Sequence, residues 1–356
     1  MRFLLRAFLA ALLASHLLLA ASGDPTSKQA SPQRIDLHHH FLSPSYAAYL
    51  RTHGGNRTDL PQNWTAESSL AYMDASGIST AILSITIPGL DFGELQEASR
   101  QARELNKFAA KVVRAHAGRF GFFAALPMPD VNASLAEAAY ALDTLGADGV
   151  ELFANSRSVY LGEPASEPLF AELNRRRAVV FIHPNQLPGP KVPGLKYGAA
   201  DILLDTTRAA TLLVTSGFMA RYPNMSVILS HAGGSVPFQA VRIARASARS
   251  AANPGPSADD MVADMRRFYF DTTLSGNKYT LKGLLAFTNA SRITFGTDFL
   301  FGNSSLLDAS TRGLDAFFGA GVNNACNCAE ENNTVTGTGG TGASSGSGFG
   351  QLWVLS

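Results

Sequence analysis

The feature that most constrains this chain is a near-regular alternation of short apolar runs with longer segments of helical periodicity. Strand-like runs are predicted at residues 34–40, 78–85, 120–126, 149–153, 178–183, 226–231, 268–271 and 292–298. Helical segments are predicted between them, at 66–76, 96–116, 134–145, 169–177, 203–221, 236–250 and 281–287, with Gly77 and Gly146 as stops. Strands that alternate with helices pair in parallel, because each connection has to cross back over the sheet. Eight such units predict an α/β chain closed into a (β/α)8 barrel rather than an open sheet.

The strand ends carry the second constraint. His38 and His40 are two apart on an extended chain, so they point to one side while His39 points to the other. His183, His231 and Asp298 also fall at the carboxyl ends of their runs, and in a parallel barrel those ends share one mouth. Taken singly, each has a bland reading. The His-x-His pair suits a surface cluster, His183 a capped strand, His231 a turn before two glycines, and Asp298 a cap on the following segment. Together they form an imidazole and carboxylate set suited to Zn2+, with Mn2+, Fe2+ or Co2+ as substitutes. No cysteine is in reach, so an open coordination position and catalysis are expected rather than a closed structural site. Asp36, one strand step inside His38, is a candidate for orienting a ligand from behind. Glu151 is read either as facing the mouth or as a rim charge, and His39, His53 and His116 are read as non-functional. Phe153, Phe299 and Phe301 are read as walls for an aromatic ring or as packing residues.

Residues 1–23 place Arg2 and Arg6 before an apolar run and end in Ala21-Ser22-Gly23, the order of a secretory signal peptide. A signal anchor is the alternative reading, and residues 24–33 are read as a linker. Seven Asn-x-Ser/Thr triplets, at Asn56, Asn63, Asn132, Asn224, Asn289, Asn303 and Asn332, agree with export to a secretory compartment or the exterior. The net charge is +1, from 29 basic and 28 acidic residues. With no basic block, a small molecule is expected as partner, rather than nucleic acid or a membrane surface. No stable membrane span is expected after signal removal. The two cysteines, Cys326 and Cys328, lie in the tail, so the body is not a disulfide scaffold. Residues 34–325 are assigned to the barrel domain. Residues 326–356 are assigned to a low-complexity, disordered tail, rich in Gly, Ser and Thr from Thr334 to Gly350.

Four motifs in order, Ile35-Asp36-Leu37-His38-His39-His40-Phe41, Phe181-Ile182-His183-Pro184, Ser230-His231-Ala232-Gly233-Gly234 and Phe295-Gly296-Thr297-Asp298, resemble the amidohydrolase superfamily. The likeness is to its aminocarboxymuconate semialdehyde decarboxylase-like branch and covers residues 34–302. Tyr160-Leu161-Gly162, Glu172-Leu173-Asn174-Arg175-Arg176 and Arg119-Phe120-Gly121-Phe122-Phe123-Ala124 are most similar to fungal 6-methylsalicylate decarboxylases. The resemblance implies that His38, His40, His183 and Asp298 hold one divalent ion, Zn2+ or Mn2+, with His231 beside it as the proton-transfer residue and Asp298 as a relay. It implies nonoxidative decarboxylation of an ortho-hydroxybenzoate, 6-methylsalicylate giving m-cresol and CO2 in secondary metabolism, and a homodimer. A mononuclear hydrolase of the same superfamily is the alternative. A bridged binuclear site is disfavoured, since no lysine lies in residues 149–153. Two departures motivate a third reading, a noncatalytic product. Leu300 stands where the family usually has proline, and Asn324-Ala325 leads into Cys326-Asn327-Cys328 instead of a further helical segment.

Overall fold

Eight strands pair in chain order, every pair parallel: β1 (Arg34–His40), β2 (Ile78–Ser84), β3 (Phe120–Ala125), β4 (Gly149–Phe153), β5 (Val179–His183), β6 (Ser226–Leu229), β7 (Tyr269–Asp271) and β8 (Ile293–Thr294). The computed structural model describes residues 34–53, 64–90, 93–248, 255–300 and 304–318. The expected signal, linker and tail, together with Phe301 and Cys326-Asn327-Cys328, lie outside these. The sheet closes where β1 meets the segment after β8. Leu37 N donates to Phe295 O at 3.0 Å and Asp298 N to His38 O at 2.9 Å. The structure is thus the (β/α)8 barrel that the alternation predicts.

Helices cover the outside. In chain order they are α1 (Pro44–His53), α2 (Ala66–Ala75), α3 (Leu95–Ala115), α4 (Val131–Tyr140), α5 (Glu167–Arg175), α6 (Tyr197–Thr215), α7 (Phe218–Arg221), α8 (Val236–Ser247), α9 (Ala258–Arg266), α10 (Lys278–Phe287) and α11 (Ser304–Phe318). The α3 sequence shows why they dock. Ala98, Ala102, Leu105, Ala109 and Val112 recur at spacings of three and four and are all buried, which places one apolar stripe against the sheet. Inside the barrel, Leu37, Ile82, Phe123, Phe181 and Ile228 form a separate buried cluster. Its Phe123 and Phe181 rings stack with centroids 5.5 Å apart. The interior is therefore plugged beneath the mouth, and chemistry is confined to the carboxyl ends of the strands. No described helix is long and apolar enough to cross a membrane.

Four local departures from the predicted elements have physical causes. The segment expected as one helix over 203–221 is two, α6 and α7, because Gly217 takes φ +77 and breaks the hydrogen-bond run. Helix α4 starts at Val131, not 134, because Asp130 caps it by accepting from Ala133 N at 2.9 Å, and it passes into a π turn at Ala141–Leu145. Helix α9 occupies part of the stretch between the predicted helix at 236–250 and the predicted strand at 268–271, for which no element is predicted, and Ser257 and Asp260 cap it reciprocally. The strand expected over 292–298 is regular only at Ile293–Thr294. Beyond it the backbone turns its bonds toward β1, and a Cβ on Gly296 would lie 2.8 Å from His38 Cβ. Helix α11 follows β8, and its Asp315 pairs with Arg34 at the start of β1.

Candidate metal centre

The last residues of β1 put two imidazoles on one side, as the period of two requires, and their Nε2 atoms stand 2.9 Å apart. β5 ends on His183, and Asp298 follows β8 in a left-handed conformation, φ +66. One donor atom from each of His38, His40, His183 and Asp298 lies within 4.8 Å of all the others, and all four residues are buried. Asp298 Oδ1 is 3.1 Å from His40 Nε2 and 3.5 Å from His38 Nε2.

The remote ring nitrogens are held from behind. His38 Nδ1 lies 2.8 Å from Asp271 Oδ2, His40 Nδ1 3.1 Å from Ser84 Oγ, and His183 Nδ1 donates to Pro184 O at 2.7 Å. An imidazole engaged at Nδ1 presents Nε2 as its ligand atom, so the donor set fits a divalent ion. Burial pushes His40 down and His183 well down, the latter also through its neighbouring imidazoles, and neutral rings are what a metal requires. Burial also works against a charge on His38, but the Asp271 carboxylate outweighs it and holds the ring up at about 9. A proton and a divalent ion are thus alternatives at its Nε2. Burial opposes the charge of Asp298 as well, yet the His231 and His40 imidazoles and the charge of His38 keep it well below the usual carboxylate range.

His231 sits beside this set without joining it. Its Nε2 is 3.7 Å from Asp298 Oδ2, beyond hydrogen-bond distance. Neither ring nitrogen has a hydrogen-bond partner among the described residues, although the residue is only 4% exposed. The backbone is bent to present it: His231 and Ala232 take φ +53 and +55, a region L residues occupy at a cost. A buried imidazole with no internal partner is a group waiting for one.

One expectation is corrected. Asp36 touches no ring of the four-residue set. Its oxygens take the main-chain N–H groups of His38 and Thr297, the Thr297 hydroxyl and His39 Nδ1, so it pins β1 to the segment after β8. The carboxylate behind a ligand is Asp271 instead, which sequence reasoning had only as the end of a strand. Phe299 stacks on His39 and Tyr72, the side of β1 away from the pincer, and so takes the packing role of the two read for it. Phe153 does reach the site, with its ring centroid 5.6 Å from that of His183.

Glu151 faces inward. It pairs with Phe181 of the inner cluster in the β4–β5 register, and its Oε2 accepts from Ile85 N at 2.9 Å, while Oε1 has no partner among the described residues. Burial pushes its carboxyl up to about 8 against the pull of that N–H and of the His38 charge. An acid whose folded pKa is raised keeps its proton while the unfolded chain, near 4.3, has lost it. Folding is therefore opposed increasingly as pH rises from about 4.3 to 8. In metal-free protein Glu151→Gln is expected to gain roughly 3 to 4 kcal/mol of stability over the wild type as pH rises from 5 to 8. Urea unfolding across that range measures it, and parallel pH profiles for the two proteins would contradict it.

A barrel of this topology, with three imidazoles and a carboxylate converging at its mouth, defines the class of metal-dependent (β/α)8 enzymes. Within that class the chain belongs to the amidohydrolase family, whose model matches residues 35–323. Among its relatives, a decarboxylase of Aspergillus niger is 40% identical over 302 residues, covering 80% of this chain and 82% of that protein. The 6-methylsalicylic acid decarboxylase of Penicillium expansum is 39% identical over 277 residues, 75% and 84% of the two chains. A crystal structure of dihydroxybenzoic acid decarboxylase from a Polaromonas species, with bound manganese and the inhibitor 2-nitroresorcinol, superposes with a TM-score of 0.65. It is 23% identical and covers 79% of this chain and 94% of that one, so that likeness is one of fold.

Proposed function

We propose that the protein is a metal-dependent nonoxidative decarboxylase of an ortho-hydroxybenzoate, with 6-methylsalicylate as substrate and m-cresol and CO2 as products. The observation that carries the reading is the unpartnered His231 imidazole beside four convergent donors. The ion proposed for His38, His40, His183 and Asp298 is Zn2+, with Mn2+ as its substitute, on the ground of three imidazoles and one carboxylate. When bound, it supplies positive charge that orients the substrate carboxylate and phenolic oxygen.

His231 delivers the proton. It goes to the ring carbon bearing the carboxylate, the bond from that carbon to the carboxyl breaks, and its electron pair restores the aromatic ring as CO2 leaves. Asp298, 3.7 Å from His231 Nε2, stabilises the imidazolium before transfer. The inner cluster below and Phe153 beside His183 give the mouth an apolar floor and one apolar side suited to an aromatic ring. The secretory start, with the exposed sequon residues Asn132, Asn224 and Asn289, supports placement in the secretory pathway or outside the cell. A homodimer is the assembly proposed.

The test is turnover of 6-methylsalicylate by purified, metal-quantified protein. Equal amounts of CO2 and m-cresol are expected, and in D2O one deuterium on the ring carbon between hydroxyl and methyl. A folded, metal-loaded protein that releases no CO2 from this or related hydroxybenzoates would sink the reading.

A further inference from the structure

Asp271, at the end of β7, is fully buried and spends both carboxylate oxygens as acceptors in two directions. Oδ2 faces His38 Nδ1 at 2.8 Å, and Oδ1 accepts from His231 N at 2.7 Å and from Thr273 N at 3.0 Å. We propose that Asp271 is a positioning residue that couples metal holding to proton delivery, fixing the ring of His38 and the main chain of His231 with one side chain. The catalytic half of this inference rests on the decarboxylase reading, whereas the metal half does not.

The two bonds do different things. At His38, a carboxylate on Nδ1 requires the proton there and leaves Nε2 free to bind an ion. At His231, the bond anchors the first residue of the left-handed pair, φ +53 and +55, and so holds an otherwise unpartnered imidazole beside Asp298. Among the described residues no other side chain joins a ligand ring to the main chain of His231. Ser84 bonds the ring of His40, the Pro184 carbonyl bonds that of His183, and Asp36 bonds main chain and His39. Only a carboxylate can serve both sides of Asp271, because every neighbour is a donor and a carboxamide has a single acceptor oxygen.

Asp271→Asn separates the two tasks at nearly constant shape. If its amide nitrogen faces His38, Nδ1 becomes the acceptor, the ring proton moves to Nε2 and the ligand position is blocked. If it faces His231, two N–H donors collide and the bend loses its anchor. The expected result in the full chain is Zn2+ affinity lowered 10- to 100-fold in a chelator competition. With Zn2+ saturating, kcat for 6-methylsalicylate is expected to fall at least tenfold, with KM within about threefold. Wild-type Zn2+ affinity, or wild-type kcat once saturated, would overturn the coupling. Weakened Zn2+ binding in a series whose wild type releases no CO2 supports the His38 half and overturns the decarboxylase reading instead. If the variant does not fold, imidazole NMR of the Zn2+-loaded wild type decides the His38 half. A slowly exchanging, strongly downfield Nδ1 proton that disappears in His38→Gln supports it, and the lack of that proton overturns it.

Discussion

His231→Asn is expected to lower kcat by about 10²- to 10⁴-fold, the range of a lost general acid, while leaving metal content unchanged. Asparagine is chosen because position 231 takes φ +53, which asparagine tolerates better than most residues. The Oδ1 of Asp271 can still accept from the main-chain N–H at 231, so the bend survives the change. What disappears is the one imidazole at the mouth whose two nitrogens have no partner among the described residues. It is not among the four residues whose donor atoms converge, so Zn2+ affinity is expected to stay within about threefold. KM should move little if the ion orients the substrate and His231 only protonates it. Kinetics at saturating metal, with metal content measured on the same samples, check this. A variant that keeps more than a tenth of wild-type kcat would remove His231 from proton delivery, and loss of bound metal would make it a ligand.

The parts of this molecule that can be read in the sequence are those written by burial and by local period. Strands covered on both faces read as apolar runs, so β4 is found at its observed bounds, and the runs that end on His40, His183, His231 and Asp298 are identified with the mouth. The pincer is legible because a period of two fixes the sides of His38 and His40. Asp271 is a different case. Its partner His38 lies 233 residues away, across β8 from β7, and nothing local marks one strand-end aspartate as facing a ligand. Asp36 misleads for the same reason, since its place inside β1 fits support of a ring as well as support of main chain. The end of β8 is hidden because Phe295 and Asp298 bond to β1 outside a regular ladder. Helix α9, by contrast, carries a readable start in Ser257-Ala258-Asp259-Asp260, which the neighbouring glycine and prolines obscure. The inward aim of Glu151 follows from period too: it is two residues before Phe153, which pairs with His183.

Asp298→Asn is expected to abolish turnover at ordinary metal concentrations through loss of the ion. Of the four converging residues, Asp298 alone brings a negative charge. Asparagine preserves its volume and one acceptor oxygen, so the change isolates charge. One unit charge at about 4 Å from another is worth about 4 kcal/mol at an effective dielectric constant near 20, or about three orders of magnitude in Kd. A dication at ligand distance feels no less, so a loss of at least that size is expected. Packing offers little compensation, because the neighbours of Asp298 are His40 at 3.1 Å, His38 at 3.5 Å and His231 at 3.7 Å, all of which favour an anion between them. Chelation of the wild type should give the same inactive state reversibly, whereas Asp298→Asn should regain bound metal only at a large excess of Zn2+ or Mn2+. Metal titration with circular dichroism on each sample separates loss of the ion from loss of fold. Full metal occupancy in the variant at wild-type concentrations would mean that the three imidazoles suffice, and Asp298 would then act chiefly as the partner of His231.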